Sequence, residues 1–88
     1  MAKQESLLEF PCDFPIKVMG RTGVAFRAIT LEIVERHAGR LDTSRISERL
    51  SGQGNYQSIT YTIEAQSRAQ LDAIYRELTA TGIVLVAL

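Results

Sequence analysis

The 88-residue sequence has few of the side chains on which catalysis and metal binding depend: it has one cysteine, Cys12, and one histidine, His37. A single cysteine rules out an internal disulfide, and one thiol with one imidazole falls short of the four ligands of a structural zinc site. We find no partner residue that would activate either side chain. We therefore interpret Cys12 as a half-exposed, unreactive thiol and His37 as a structural residue, and we expect no catalytic residue, metal, cofactor or enzymatic activity.

The sequence also lacks an excess of charge, because its 10 basic and 10 acidic residues cancel. This balance argues against general binding to nucleic acids or acidic membranes, which depends on unpaired lysine and arginine. No apolar run approaches the 18 residues of a membrane span, and the absence of disulfides favours a cytoplasmic protein. Four arginines form the one group of basic residues in the sequence, which we interpret as a solvated face or, alternatively, as an anion site: Arg36, Arg40, Arg45 and Arg49.

The most regular pattern lies between Tyr56 and Ala65, where polar and apolar side chains alternate as in a half-buried strand. Gly52 and Gly54 precede it and suit a hairpin turn, since glycine tolerates positive φ. A glycine-rich loop can also hold a phosphate, but this one leads into a strand and not into a helix. The apolar face predicted for the core is Ile59, Tyr61 and Ile63; the polar face is Tyr56, Ser58, Thr60 and Thr62.

Two segments show helical periodicity. The first runs from Val24 to Ala38, and we expect Thr22 to cap its N-terminus. The second begins with a capping pattern formed by Ser67 and Gln70, and it ends before Gly82. On the side of the first helix opposite its core stripe lies a weaker apolar patch, which is either a contact surface or scattered exposure: Val24, Ala28 and Leu31.

Three further segments complete the chain, which we divide into an N-terminal arm, residues 1–13, and one domain, residues 14–88. Phe14–Gly20 is predicted as the first strand and Leu41–Leu50, with weaker alternation, as the second. The closing run Ile83–Leu88 is continuously apolar, so we expect a strand buried on both faces. The arm contains Leu7, Leu8 and Phe10, which should lie against the domain or a neighbouring subunit.

The order β-α-β-β-α-β predicts an α+β, ferredoxin-like fold, with an antiparallel sheet in the order 4-1-3-2 and two helices on one face. The other sheet face should carry the hydroxyl row together with Val84 and Val86. Readers of single-stranded RNA with this fold place aromatic residues on their central strands, and these are missing here. Val84 and Val86 better suit pairing with another copy of the chain, so we expect a homodimer.

Four segments of the chain resemble the YbeD-like family of small bacterial proteins: Leu7–Gly20 (LLEFPCDFPIKVMG), Gly54–Ile63, the helical Leu71–Leu78 with Tyr75, and the closing GIVLVAL. The resemblance implies a ferredoxin-like fold similar to ACT domains, which bind amino acids or other small effectors and regulate enzymes. It also implies a bacterial cytoplasmic protein, and it supplies no catalytic residue.

The resemblance further implies a ligand site near the turn after the first strand, because ACT domains bind effectors at a glycine-containing turn there. The corresponding residues are Gly20, Arg21, Thr22 and Gly23. Ordinary turn chemistry explains the same glycines. Two functions follow: a regulatory or small-ligand-binding module with a small-molecule effector, or an adaptor that binds a partner protein through an exposed strand edge or apolar patch.

Overall fold

The computed structural model describes residues 8–88, apart from the side chain of Val24; residues 1–7 of the predicted arm, including Leu7, lie outside it. The first helix, Val24–Ala38, and the third strand, Tyr56–Ala65, have the predicted bounds. The elements are β1 (Cys12–Arg21), α1 (Val24–Ala38), a 3-10 turn (Thr43–Arg45), β2 (Ile46–Ser51), β3 (Tyr56–Ala65), α2 (Arg68–Ala80) and β4 (Val86–Ala87).

The four strands form one antiparallel sheet in the order β2-β3-β1-β4, so β1 and β3 occupy its centre. The ten-residue pairing of β1 with β3 places Ile16 opposite Tyr61 and Val18 opposite Ile59. These side chains point to the same face, where both helices pack. The predicted ferredoxin-like fold and its strand order are confirmed.

The core lies between the central strands and the two helices. Ile59, Tyr61 and Ile63 are fully buried, as the alternation predicts, whereas Thr60 and Thr62 are half-buried on the opposite face. Leu8 and Phe10 of the arm pack against the core from outside. The buried apolar residues are Ile16, Val18, Phe26, Ile33, Val34, Ile59, Tyr61, Ile63, Ala65, Leu71, Ile74 and Leu78.

The two helices are joined at one end by the cap of α2. The Ser67 hydroxyl accepts a hydrogen bond from the backbone N–H of Gln70, at 3.1 Å, as the capping pattern predicts. The Gln70 side-chain amide then donates to the carbonyl of His37, at 3.0 Å. Because the last carbonyls of a helix lack intrahelical partners, this bond also stabilises the end of α1.

The prediction for the last strand is wrong in length and in burial. Only Val86–Ala87 form β4, and within residues 8–88 this strand lies at the edge of the sheet with β1 as its one neighbour. Gly82, at φ 80°, redirects the chain after α2, and Val84 packs against the core instead of lying on the open sheet face. Leu85 and Leu88, which flank β4, are 56% and 68% exposed.

Two other strand boundaries differ from the prediction. β1 begins at Cys12, two residues before the predicted Phe14, and includes Arg21. The predicted second strand begins only at Ile46, because Thr43–Arg45 form a 3-10 turn. Asp42 caps this turn by accepting a hydrogen bond from the backbone N–H of Ser44 at 3.0 Å, and hydrogen bonding by Ser44 lowers the pKa of the Asp42 carboxyl.

Candidate ligand-binding cleft

The end of β1, just before the turn to α1, contains a glycine that no other residue could replace without rearrangement. Gly20 is buried, and a Cβ at this position would lie 2.4 Å from Cε1 of Phe26 and 2.5 Å from the carbonyl oxygen of Ile83. Both distances are well below van der Waals contact. Gly20 therefore lets the first turn of α1 and the segment after α2 approach the end of β1 closely.

Thr22 does not cap α1, contrary to the prediction. Its hydroxyl donates to the carbonyl of Gly54 at 2.7 Å, and its backbone N–H donates to the carbonyl of Asn55 at 2.9 Å. Both acceptors belong to the β2–β3 turn, so Thr22 joins the β1–α1 turn to the β2–β3 turn by two hydrogen bonds. The N-cap is Gly23, which has no side chain to accept a hydrogen bond from the helix.

Beside this turn is a cleft of about 320 Å³, which we call the β1–α1 cleft. Of the four predicted site residues, the structure places Arg21 and Gly23 on its wall. Gly20 lies beneath the wall against Phe26, and the Thr22 hydroxyl is bonded to the hairpin turn. The lining residues are Arg21, Gly23, Ala25, Phe26, Gly82, Ile83 and Leu85.

The β1–α1 cleft combines a positive end with an apolar wall. Arg21 is exposed and, within residues 8–88, has no carboxylate within 4 Å. The first turn of α1 contains no acidic residue and no side-chain cap, so the positive end of its dipole is not compensated locally. Phe26, Ile83 and Leu85 supply the apolar contacts. Such a cleft can hold a small organic anion that also has an apolar group.

A polar cluster that the sequence analysis did not identify lies under α1. Gln57 is 7% exposed, and its side-chain amide donates to Glu48 at 2.6 Å, while Arg27 donates to the other oxygen of the same carboxylate at 2.9 Å. Gln57 has the same strand parity as Ile59, so the alternation already placed it on the core side. Because only apolar residues are assigned to the predicted core face, the burial of this polar side chain is not predicted.

The helices are also linked by ionic side chains near the end of α1. Glu77 accepts hydrogen bonds from Arg36 and from Nε2 of His37, the latter at 2.9 Å. The bond from His37, with further help from Arg36, lowers the pKa of the Glu77 carboxyl. Arg36 also lies 3.9 Å from Glu32. His37 thus has a structural partner in Glu77, and Arg36 is part of an ion-pair network with Glu77 and Glu32.

The residues of the two predicted contact surfaces differ in exposure. In the predicted patch on α1, the side chain of Val24 lies outside the described structure, Ala28 is exposed, and Leu31 is half-buried and packs against the core. Val86, 42% exposed, lies on the open sheet face beside Met19. Neither helix in residues 8–88 has the length and apolar character that crossing a membrane requires. In the same residues, no three His, Cys, Asp or Glu side chains assemble as a metal site would require.

The fold and the cleft define a small ferredoxin-like α+β protein with a cavity where β1 meets α1. Residues 5–88 match the family model described as "Protein of unknown function (DUF493)", and the chain belongs to this family. The expected YbeD-like membership is thereby confirmed.

The sequence relatives are bacterial and have nearly the same length as this chain. A UPF0250 protein of Paraburkholderia phytofirmans is 48% identical over 84 residues, which are 96% of this chain and 94% of the relative. UPF0250 protein NE1487 of Nitrosomonas europaea is 47% identical over 75 residues, 85% of this chain and 86% of the relative. A UPF0250 protein of Neisseria gonorrhoeae is 43% identical over 91 residues and covers both chains fully.

A solved structure supports the fold. The solution structure of protein HP0495 from H. pylori superposes with a TM-score of 0.66 at 17% sequence identity, and the match covers 92% of this chain and 85% of that one. At this identity the similarity concerns the fold alone, because one fold accommodates many functions.

Proposed function

We propose that this protein is a non-enzymatic ligand-binding module that binds a small organic anion in the β1–α1 cleft and acts as a regulatory domain in the manner of ACT domains. The observation that carries the proposal is the position of Arg21 and the uncapped first turn of α1 on the wall of a 320 Å³ cavity. Its size lies at the lower end of the range for small-molecule sites.

The composition of the cleft defines the class of ligand. The Arg21 guanidinium can form paired hydrogen bonds with a carboxylate, and the free N–H groups of a helix N-terminus favour the same negative charge. The apolar side chains of Phe26, Ile83 and Leu85 favour an aliphatic or aromatic substituent. An amino acid or a short organic acid has both parts.

The test is a thermal-unfolding screen of amino acids and small organic acids. Circular dichroism monitors the unfolding, because the chain has no tryptophan to serve as a fluorescent probe. Ligand at about 100 times its Kd adds about 2.7 kcal/mol to the free energy of unfolding. Each kcal/mol raises Tm by about 4–8 °C in a domain of this size. A true effector should therefore raise Tm clearly, and Arg21→Gln should abolish the rise.

Arg76→Gln is the matched control, since Arg76 is an exposed arginine on α2 and the substitution removes the same charge. The control should keep the full rise in Tm. A flat panel at millimolar ligand, or a rise that Arg21→Gln leaves unchanged, would overturn the proposal.

The edge strand favours a second candidate, an adaptor that pairs with another protein or another copy of the chain. Leu85, Val86 and Leu88 are 56%, 42% and 68% exposed and follow one another along a sheet edge. An unprotected edge of this kind recruits further strands. Sedimentation of the wild type and of Val86→Lys tests it: a dimer that the substitution dissociates supports pairing, and a monomer that captures no protein argues against it.

A further inference from the structure

A second pocket lies on the sheet face that carries no helices, which we call the open face. This open-face pocket has a volume of about 160 Å³. It shares no residue with the β1–α1 cleft. Its lining residues are Lys17, Ser47, Glu48, Arg49, Ser58 and Thr60.

The strand register explains why these side chains converge. Thr60 of β3 lies between Ser47 of β2 and Lys17 of β1, and these three form one row across the sheet. The next row has Ser58 of β3 beside Arg49 of β2. Directly opposed residues of antiparallel strands have their side chains on the same face, about 5 Å apart. Two cations and three hydroxyls therefore surround one point of the open face.

Ser58 is the most informative member of the pocket. The residue is only 8% exposed, and its hydroxyl has no hydrogen-bond partner among residues 8–88. The hydroxyl still reaches the surface of the pocket, because the one buried side-chain oxygen or nitrogen without a partner in the described residues is Oε1 of Gln57. The hydroxyl of Ser58 thus lines the pocket with an unused capacity to donate a hydrogen bond.

The charge of the pocket is positive. Lys17 and Arg49 have no carboxylate within 4 Å in the described part of the chain. Glu48 belongs to the other sheet face by strand parity, because it is opposite the buried Ile59, and its carboxylate is held there by Arg27 and Gln57. No described acidic side chain therefore neutralises the two cations.

We propose that the open-face pocket binds the phosphate group of a small phosphorylated molecule. Lysine, arginine and hydroxyl side chains are the groups with which proteins contact phosphate oxygens. At 160 Å³ the pocket suits a terminal tetrahedral oxyanion and is smaller than a site for a whole metabolite. The site is separate from the β1–α1 cleft and stands or falls independently of the function proposed there.

The test uses methyl phosphate, a minimal phosphate monoester, titrated into the 15N-labelled full chain in phosphate-free buffer. Amide signals of Ser47, Ser58 and Thr60 should shift in a saturable manner. Lys17→Gln and Arg49→Gln should each weaken binding by about tenfold or more, since each removes a charged hydrogen bond. Ser58→Ala should also weaken it. Far-UV circular dichroism of each variant establishes that it is folded.

A matched variant separates this site from other basic surfaces. Arg76→Gln removes an equal charge from the helical layer and should leave the affinity unchanged. Equal weakening by Arg76→Gln, or small shifts at every basic residue without saturation, would overturn the proposal. Binding of a single-stranded oligonucleotide with a steep salt dependence, while methyl phosphate produces no shifts, would overturn it in favour of a nucleic-acid surface.

Discussion

The phenolic oxygen of Tyr61 lies 2.7 Å from the hydroxyl oxygen of Thr30, and both residues are fully buried. The Thr30 hydroxyl also donates to the carbonyl of Phe26 at 3.0 Å, so Tyr61 is the donor to Thr30. This chain of hydrogen bonds joins the centre of the sheet to the middle of α1. Burial raises the pKa of Tyr61, partly offset by the bond to Thr30.

We predict that Thr30→Val destabilises the protein more than Tyr61→Phe. Tyr61→Phe removes one hydrogen bond, at a cost of about 0.5–1.5 kcal/mol, whereas Thr30→Val leaves a buried phenol without an acceptor, at about 1–3 kcal/mol. The double variant should cost less than the sum of the two, because it removes both partners. Urea unfolding measures all three. Additive losses would show that the two hydroxyls do not interact.

Gly20→Ala should destabilise the fold by about 1–3 kcal/mol or more, because the added methyl group overlaps Phe26 and the backbone of Ile83. Gly23→Ala is the control: a Cβ there meets nothing within 4 Å, and φ is −172°, an extended conformation open to any residue. We expect a change below about 1 kcal/mol for the control. Thermal unfolding measures both variants, and an equal loss of Tm in the two would contradict the described packing.

Ile59→Ala should cost about 2–5 kcal/mol, because it empties space at the centre of the core. Thr60→Ala, the next residue on the same strand, should cost far less, since Thr60 is half-buried on the open face. Equal losses in urea unfolding would mean that the strand register is displaced by one residue.

The lowered pKa of Glu77 predicts an acid-dependent loss of stability. A carboxyl whose pKa is lower in the folded than in the unfolded chain stabilises the fold above its ordinary value of 4.5. This contribution disappears as pH falls through the folded-state pKa. We therefore expect the Tm of the wild type to fall more between pH 5 and 3 than the Tm of Glu77→Gln. Parallel curves would contradict this assignment.

The fold was largely predictable from local patterns. The alternation through Ile59, Tyr61 and Ile63 located the central strand, and the helical periodicity of Val24–Ala38 located α1 with its observed bounds. These segments have one apolar face each, so periodicity and burial agree. The cap of α2 was predictable for a similar reason, because Ser67 and Gln70 are only three residues apart in the chain. The structure confirms their hydrogen bond.

The remaining features depend on contacts between distant parts of the chain. Ile83–Leu88 is as apolar as a buried strand, but its place at the edge follows from the strand order and not from its composition. Thr22 has a side chain suited to a helix cap, where its hydroxyl would accept a hydrogen bond, but this hydroxyl donates instead to the carbonyl of Gly54 in the hairpin turn. The β1–α1 cleft also depends on contacts between distant segments. The sequence predicts Arg21 and Gly23 near a turn, but it does not predict the cavity beside them.

The pairing of β1 with β3 also sets a constraint on how the chain reaches its native state. This central pairing joins residues 12–21 to residues 56–65, whereas β2 and β3 are joined by the short turn after Ser51. The hairpin can therefore form early and locally, while β1 must close a long loop before it gains any contact with β3. We expect docking of β1 to limit the folding rate, so that substitutions in β1 slow folding more than equally destabilising ones in the hairpin turn.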